Sequence, residues 1–180
     1  MRSLVGIALA GLVWMGAAQG AEFKIATIAP EGSEWMQAIR AAAVFHDIGM
    51  VAVGEDIAQK TGPLTPAEEE KLERHPVFGE EIASELHFMH AELPLIRHHH
   101  ERFDGQGKPD GLAGEAIPLG ARILAIADAY DEMVSERPGQ PALTARQAME
   151  RLRGEAGSRF DPRLVETFVE VQSRLISDRA

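Results

Sequence analysis

All seven histidines of this chain fall between His46 and His100. His46 is followed directly by Asp47, His75 stands before a proline, and His98-His99-His100 precede a glycine-rich stretch. Asp128 adds a carboxylate to an apolar helical pattern, among Ile123, Leu124, Ile126 and Ala127. A carboxylate beside a core loses hydration and needs cations or donors to stay charged. Asp47, close behind the apolar run Ala41–Phe45, has the same need. Imidazole and carboxylate suit iron, manganese, zinc or nickel, and one carboxylate can bridge two ions. Two ions about 3.5–4 Å apart generate hydroxide at neutral pH and clamp a phosphate in line. Each residue also has a plainer reading. A histidine near a helix C-terminus interacts with the helix dipole, three successive histidines form a solvated end, and Asp128 bonds to a neighbouring turn.

Composition narrows the chemistry. The chain has no cysteine, which excludes disulfides and thiolate metal sites, so any metal rests on histidine and carboxylate. A formal charge of −10 argues against nucleic-acid polymers and anionic membranes as partners. A phosphate-binding site in such a protein needs local positive charge, which bound metals supply. With 180 residues, 45% apolar and 26% charged, the chain is a soluble globular domain, with or without a processing segment.

The elements that must position these residues read as helices. Met36, Ile39, Arg40, Ala43 and Val44 recur three and four apart over Glu34–Asp47, with Gly49 as a C-terminal stop. Thr65-Pro66-Ala67-Glu68 is a capping-box start for a helix to about Arg74, where Pro76 biases His75 away from helical dihedrals. Val77–Phe88 and Ala91–His100 suggest two more helices. Glu101–Pro118, with four glycines and two prolines, reads as a long ordered loop. Leu119–Val134 carries the strongest apolar stripe, Thr144–Gln147 is a second capping box, and Asp161-Pro162 opens a last helix. The strand candidates are Phe23–Ile28 and a weak Met50–Val53. The fold class is all-α.

Upstream, Arg2 precedes an uncharged stretch from Leu4 to Ala18, and Ala18-Gln19-Gly20 offers small residues as at a secretory cleavage site. Fifteen apolar residues are short for a bilayer span. The expectation is a signal peptide over residues 1–20 and no membrane span beyond it. Residues 21–43, with the signal, resemble the start of periplasmic solute-binding proteins of the TRAP transporter type.

The segments VFHDIGMVAV, RHP at Arg74–Pro76, IRHHHERFDGQGKPDGLAGEAIPLGARILAIADAYDEM and SERPGQPAL closely resemble the HD-GYP domain, a branch of the HD phosphohydrolases. The resemblance covers residues 42–171. It implies a helical bundle that binds two or three divalent transition metals, iron or manganese, and cleaves cyclic di-GMP to pGpG or GMP. On that resemblance His46, Asp47, His75, His99, His100 and Asp128 are the metal ligands, with Asp47 the bridge, and Asp47, His99 and His100 are catalytic. Arg137 matches an arginine that contacts substrate phosphate, and the signature loop Asp104–Pro109 shapes the site and contacts a protein partner; Lys108, where the family has tyrosine, is a candidate substrate contact through its own charge. His87, His90 and His98 match no role and read as surface or helix-packing residues.

The chain departs from the family pattern in several places. Gly107-Lys108-Pro109 replaces Gly-Tyr-Pro, while Met50 and Gln140 stand at usually basic positions. No histidine precedes His46, so the bundle lacks its first helices and one ligand. These departures support an alternative, a catalytically degenerate module that binds a ligand or protein partner; a solute-binding-protein fragment is a third reading. The division is residues 1–20 signal-like, 21–43 solute-binding-protein-like, and 44–180 partial phosphohydrolase. Localisation is conflicted, cytoplasmic by family function and exported by the N-terminal signal.

Overall fold

The computed structural model describes residues 34–136 and 141–178. Its helices are α1 (Glu34–Phe45), α2 (Met50–Val53), α3 (Glu55–Ala58), α4 (Pro66–Glu73), α5 (His75–Ser84), α6 (Leu93–His98), α7 (Leu119–Val134), α8 (Ala145–Gly154) and α9 (Pro162–Ser177). A single 3₁₀ turn, Gly114–Ala116, interrupts the loop between α6 and α7. Among the described residues there is no β-strand, only the isolated bridges Asp104–Ala113 and Ala156–Phe160. The all-α expectation holds.

Two apolar cores share α7. Its Ile123 and Leu124 pack with Ile39 and Ala42 of α1, Ala83 of α5, Met89, and Leu95 and Ile96 of α6. Ile126, Ala129 and Tyr130 pack with Ala148, Met149 and Leu152 of α8, Phe160 of the following turn, and Val165 and Val169 of α9. Asp128 therefore sits on the helix joining both cores. Glu34–Val53 is long and apolar enough to cross a bilayer, but it contributes to the first core and carries His46 and Asp47.

Local chemistry explains the element ends. Both capping boxes form: the Thr65 and Thr144 hydroxyls accept from the amides of Glu68 and Gln147, whose side chains accept from the threonine amides. Asp161 caps α9 through the Arg163 amide at 2.9 Å and is bound by Arg122 of α7 at 2.6 Å. Pro76 and Pro94 lie in first turns, where a missing N–H costs nothing.

Several sequence expectations shift. Met50–Val53 is helical, not a strand: the amides of Met50, Val51 and Ala52 bond to carbonyls three residues back, and Gly54 closes the turn onto Met50 at 3.2 Å. The break expected at His75 falls at Arg74, and His75 opens α5. The helices expected over Val77–Phe88 and Ala91–His100 end at Ser84 and span only Leu93–His98, with hydrogen-bonded turns between them. Gly49 has ordinary helical dihedrals, so it is no left-handed stop. Its need is space: a Cβ there would lie 1.9 Å from the His75 carbonyl oxygen and 2.5 Å from the Gly79 amide. The Phe23–Ile28 strand, the signal segment, Arg137 and Gln140 lie outside the described residues.

Candidate metal centre

Four chain segments deliver the ligand-type residues. The turn between α1 and α2 carries His46 and Asp47, the first residue of α5 is His75, the end of α6 runs into His99 and His100, and α7 carries Asp128. Close approach of the first turn to α5 depends on Gly49 facing Gly79, with the Gly49 amide 3.4 Å from where a Gly79 Cβ would stand.

Three histidines share one orientation device. Nδ1 of His46 donates to Ala43 O at 3.0 Å, Nδ1 of His75 to Leu72 O at 2.8 Å, and Nδ1 of His99 to Ile96 O at 2.6 Å. A carbonyl only accepts, so each Nδ1 carries a proton and each ring turns its Nε2 away from the backbone, where it offers a lone pair in the neutral form. Those Nε2 atoms converge. His75 Nε2 lies 3.3 Å from His99 Nε2 and 3.2 Å from Asp47 Oδ1, which is also 3.8 Å from His99 Nε2. His46 Nε2 lies 3.4 Å from Asp47 Oδ2 and 3.5 Å from Asp128 Oδ1. The His100 ring centroid is 4.2 Å from that of His99 and 4.9 Å from that of His75. All six residues singled out from the sequence thus meet in one place.

The electrostatics match a cation site. Burial pushes the His99 imidazolium down. Desolvation, with His99 and His75 alongside, pushes His100 down to about 3, although part of that residue is open to solvent. Burial works against the charge on Asp47, but the imidazoles of His75 and His99 hold its carboxyl far below the usual range. Burial likewise opposes ionisation of Asp128, and His46 overcomes it. His46 is the exception: burial disfavours its charged form, yet the Asp128 and Asp47 carboxylates raise it to about 9. A metal that takes the place of the His46 Nε2 proton would find imidazoles facing ionised carboxylates, which is a ligand set.

The residues fit a metal on two observations. The His75 and His99 Nε2 atoms, 3.3 Å apart, need a proton or a metal cation between them, since two bare lone pairs at that distance repel. The separations of 3.2–3.8 Å are also close to the roughly 3–3.6 Å between ligands of an ion with bonds of about 2.0–2.2 Å. Asp47, Oδ1 towards His75 and His99 and Oδ2 towards His46, splits the cluster into two halves. Its side chain is 57% exposed, so the centre opens to solvent on that side.

The glycine-rich loop closes one flank. Glu101, missed in the sequence reading, is fully buried and accepts from the Asp110 amide at 2.8 Å and the Leu112 amide at 3.1 Å. Arg97 of α6 grips Asp110 with two hydrogen bonds of 2.8 and 2.9 Å and reaches Glu80 of α5 at 2.5 Å. The only sequence signals for these roles were the glutamate directly after the histidine run and the arginine directly before it. Lys108 pairs with Glu73 at the end of α4, and its amide bonds to His100 O at 3.3 Å. His87 and His90 are exposed, as expected, whereas His98 Nδ1 is buried 3.6 Å from Glu101 and 3.7 Å from Asp110.

Comparison with known proteins gives a consistent family signal. Residues 20–164 match the family described as HD domain. The chain is 40% identical over 144 residues to the cyclic di-GMP phosphodiesterase response regulator RpfG of Xanthomonas campestris, which covers 79% of this chain and 38% of that protein. It is 35% identical over 144 residues to the 3'3'-cGAMP-specific phosphodiesterase 2 of Vibrio cholerae, covering 79% of this chain and 28% of the other. The chain thus spans well under half the length of these curated relatives. A crystal structure of a cyclic GMP-AMP-specific phosphodiesterase from Vibrio cholerae superposes with a TM-score of 0.62 at 22% identity, over 82% of this chain and 41% of that one. This last likeness concerns the fold.

Proposed function

The chain belongs to the HD-domain family, and from that premise we propose that it is a metal-dependent phosphodiesterase hydrolysing cyclic di-GMP to pGpG or GMP in bacterial second-messenger signalling. The observation that carries this reading is the convergence of three backbone-locked histidine Nε2 atoms and two carboxylates. The split at Asp47 supports two ions: His75, His99 and His100 would hold one, His46 and Asp128 the other, and Asp47 would serve both. Iron or manganese suits these imidazole and carboxylate donors. Such ions, when bound, supply Lewis acidity towards a phosphoryl oxygen and an activated water at neutral pH.

The chain's own residues do the remaining work. The carbonyls of Ala43, Leu72 and Ile96 fix tautomer and ring orientation, so no reorganisation is needed when a ligand arrives. Asp47 holds both halves of the centre at one distance. Lys108 and Arg137 offer cations to the substrate's phosphates, and the 104–109 loop forms a wall of the cleft. Residues 1–20, 21–43 and 44–180 remain the proposed division, with α1 crossing the last boundary and packing with the body. The activity belongs in the cytoplasm, in tension with an export-like segment at residues 1–20.

The test is turnover by the manganese- or iron-loaded full chain, with cyclic di-GMP and 3'3'-cGAMP offered separately and metal content measured by mass spectrometry. The expected result is linear product from cyclic di-GMP, absent in His99→Ala. Stoichiometric metal and dinucleotide binding without product would select the degenerate module instead. That reading draws on Met50, on Gln140 and on Lys108 already being paired with Glu73.

A further inference from the structure

The cations around the glycine-rich loop differ in how they are held. Arg97 is fixed by three hydrogen bonds to Asp110 and Glu80, and Arg102 by two to Asp104 within the loop itself. Lys108 has a single partner, the Glu73 carboxylate, and both side chains are open to water, at 56% and 40% exposure. Its backbone, by contrast, is tightly placed. The Lys108 amide bonds to His100 O, and a Cβ on neighbouring Gly107 would lie 2.2 Å from the Arg102 amide and 2.5 Å from Glu101 Cα. The loop is pressed against the residues following His100, and only the lysine stem is free to move. Glu73 ends α4 two residues before His75. The ion pair therefore ties together the two segments that carry His75 and His99-His100, on the flank where His100 is exposed.

We propose that Glu73 and Lys108 form an exchangeable ion pair at the rim of the centre. Before substrate arrives Glu73 holds the Lys108 ammonium, a phosphate of the bound cyclic dinucleotide takes it over, and Glu73 thereby sets the affinity for that anion. The inference rests on the phosphodiesterase reading above and adds Glu73 as a residue that tunes substrate affinity through Lys108. An exposed pair contributes little, so the exchange is cheap. An ammonium on a flexible stem has three rotatable donors and changes partner without backbone movement. A phosphate oxygen offers the ammonium a charge-assisted hydrogen bond of the same kind as the Glu73 carboxylate does, so one can replace the other. The site gains a latent cation in a chain whose net charge of −10 otherwise repels its substrate.

The experiment compares KM and kcat of the metal-loaded full chain with Glu73→Gln, Lys108→Met and the double variant at low ionic strength. Glu73→Gln is expected to lower KM about two- to five-fold and Lys108→Met to raise it by a similar factor. The effect of Glu73→Gln should vanish when Lys108 is already methionine. An unchanged or raised KM in Glu73→Gln overturns the exchange. So does an equal fall in both backgrounds, which would make Glu73 a bare repulsive charge. If the wild-type chain turns over neither cyclic dinucleotide, the parent reading fails and inorganic phosphate titrated into the manganese-loaded chain decides the exchange separately. The ordering Glu73→Gln tightest and Lys108→Met weakest supports it, and equal phosphate affinity in all three proteins overturns it. Thermal melts confirm that these exposed substitutions leave the fold intact.

Discussion

His98 and His99 are neighbours in the chain and members of two different clusters built from the same residue types. Around His99, the Nδ1 atoms of His46, His75 and His99 bond to backbone carbonyls, the Nε2 atoms of His75 and His99 face one another, and among the described residues no arginine or lysine pairs with Asp47 or Asp128. Around His98, the acids are already occupied. Arg97 takes both oxygens of Asp110, and both oxygens of Glu101 accept backbone N–H groups. In the first cluster His75, His99, His100 and Asp47 lie close enough to share an ion, and in the second His98, Glu101 and Asp110 do. What separates a ligand set from a strut is whether a cation or a donor has filled the carboxylates beforehand. The first cluster leaves that position to a metal, and the second fills it with guanidinium and amide.

The sharpest way to break this comparison is to remove each histidine in turn. His99→Ala deletes a ligand and its backbone lock, and metal affinity and turnover should fall by more than the roughly 10–100-fold typical of removing an outer-shell partner. His98→Ala should leave metal stoichiometry intact and cost stability only. Metal analysis by mass spectrometry with thermal melts reads both. Loss of metal in His98→Ala, or its retention in His99→Ala, would erase the distinction.

Glu101→Gln tests the strut with a smaller expected effect. The amide keeps one acceptor but turns a donor towards a buried N–H, leaving two donors opposed. Loss of a hydrogen bond to a buried charged group costs about 1.5–3 kcal/mol. For a chain of this size that lowers Tm by roughly 3–12 °C. Metal content should be unchanged at temperatures where the variant is folded. A melt equal to wild type would mean that the 104–112 segment does not depend on Glu101.

Much of this was legible in the sequence for local reasons. Capping boxes at Thr65 and Thr144 and the stripe on α7 are set by spacings of three and four, and they formed as read. The six candidate ligands stood out as histidines and acids beside apolar runs, and the family resemblance joined them into one set. What escaped depends on partners far along the chain. Gly49 looks like a stop signal, and its need for space appears only once His75 and Gly79 stand against it. Glu101 is one acid among 28 until two amides nine and eleven residues later fold onto it. The Glu73–Lys108 and Arg97–Glu80 pairs join positions 35 and 17 apart, which no helical or strand period encodes. Met50–Val53 misled because a short apolar run with two valines suits either state, and hydrogen bonding from the preceding turn decided it.

Acid sensitivity offers the finest contrast, because it probes the strut through the arginine that fills it. The Arg97 guanidinium holds the Asp110 carboxyl below its ordinary value. A carboxyl with a depressed folded-state pKa stabilises above its unfolded value of about 3.9 and loses that contribution as pH falls through the folded value. Arg97→Met should therefore lower stability at neutral pH and flatten the acid limb, so that its deficit against wild type shrinks below about pH 4. Both side chains are partly exposed, at 27% and 37%, so solvent screening limits the effect to roughly 0.5–1 kcal/mol, smaller still in high salt. Denaturant melts of the two proteins across pH 3–7 read it directly. A deficit that stays constant with pH would show Arg97 acting by packing alone, and the second cluster would then owe its form to Glu101 and the backbone amides rather than to a guanidinium standing where the first cluster takes a metal.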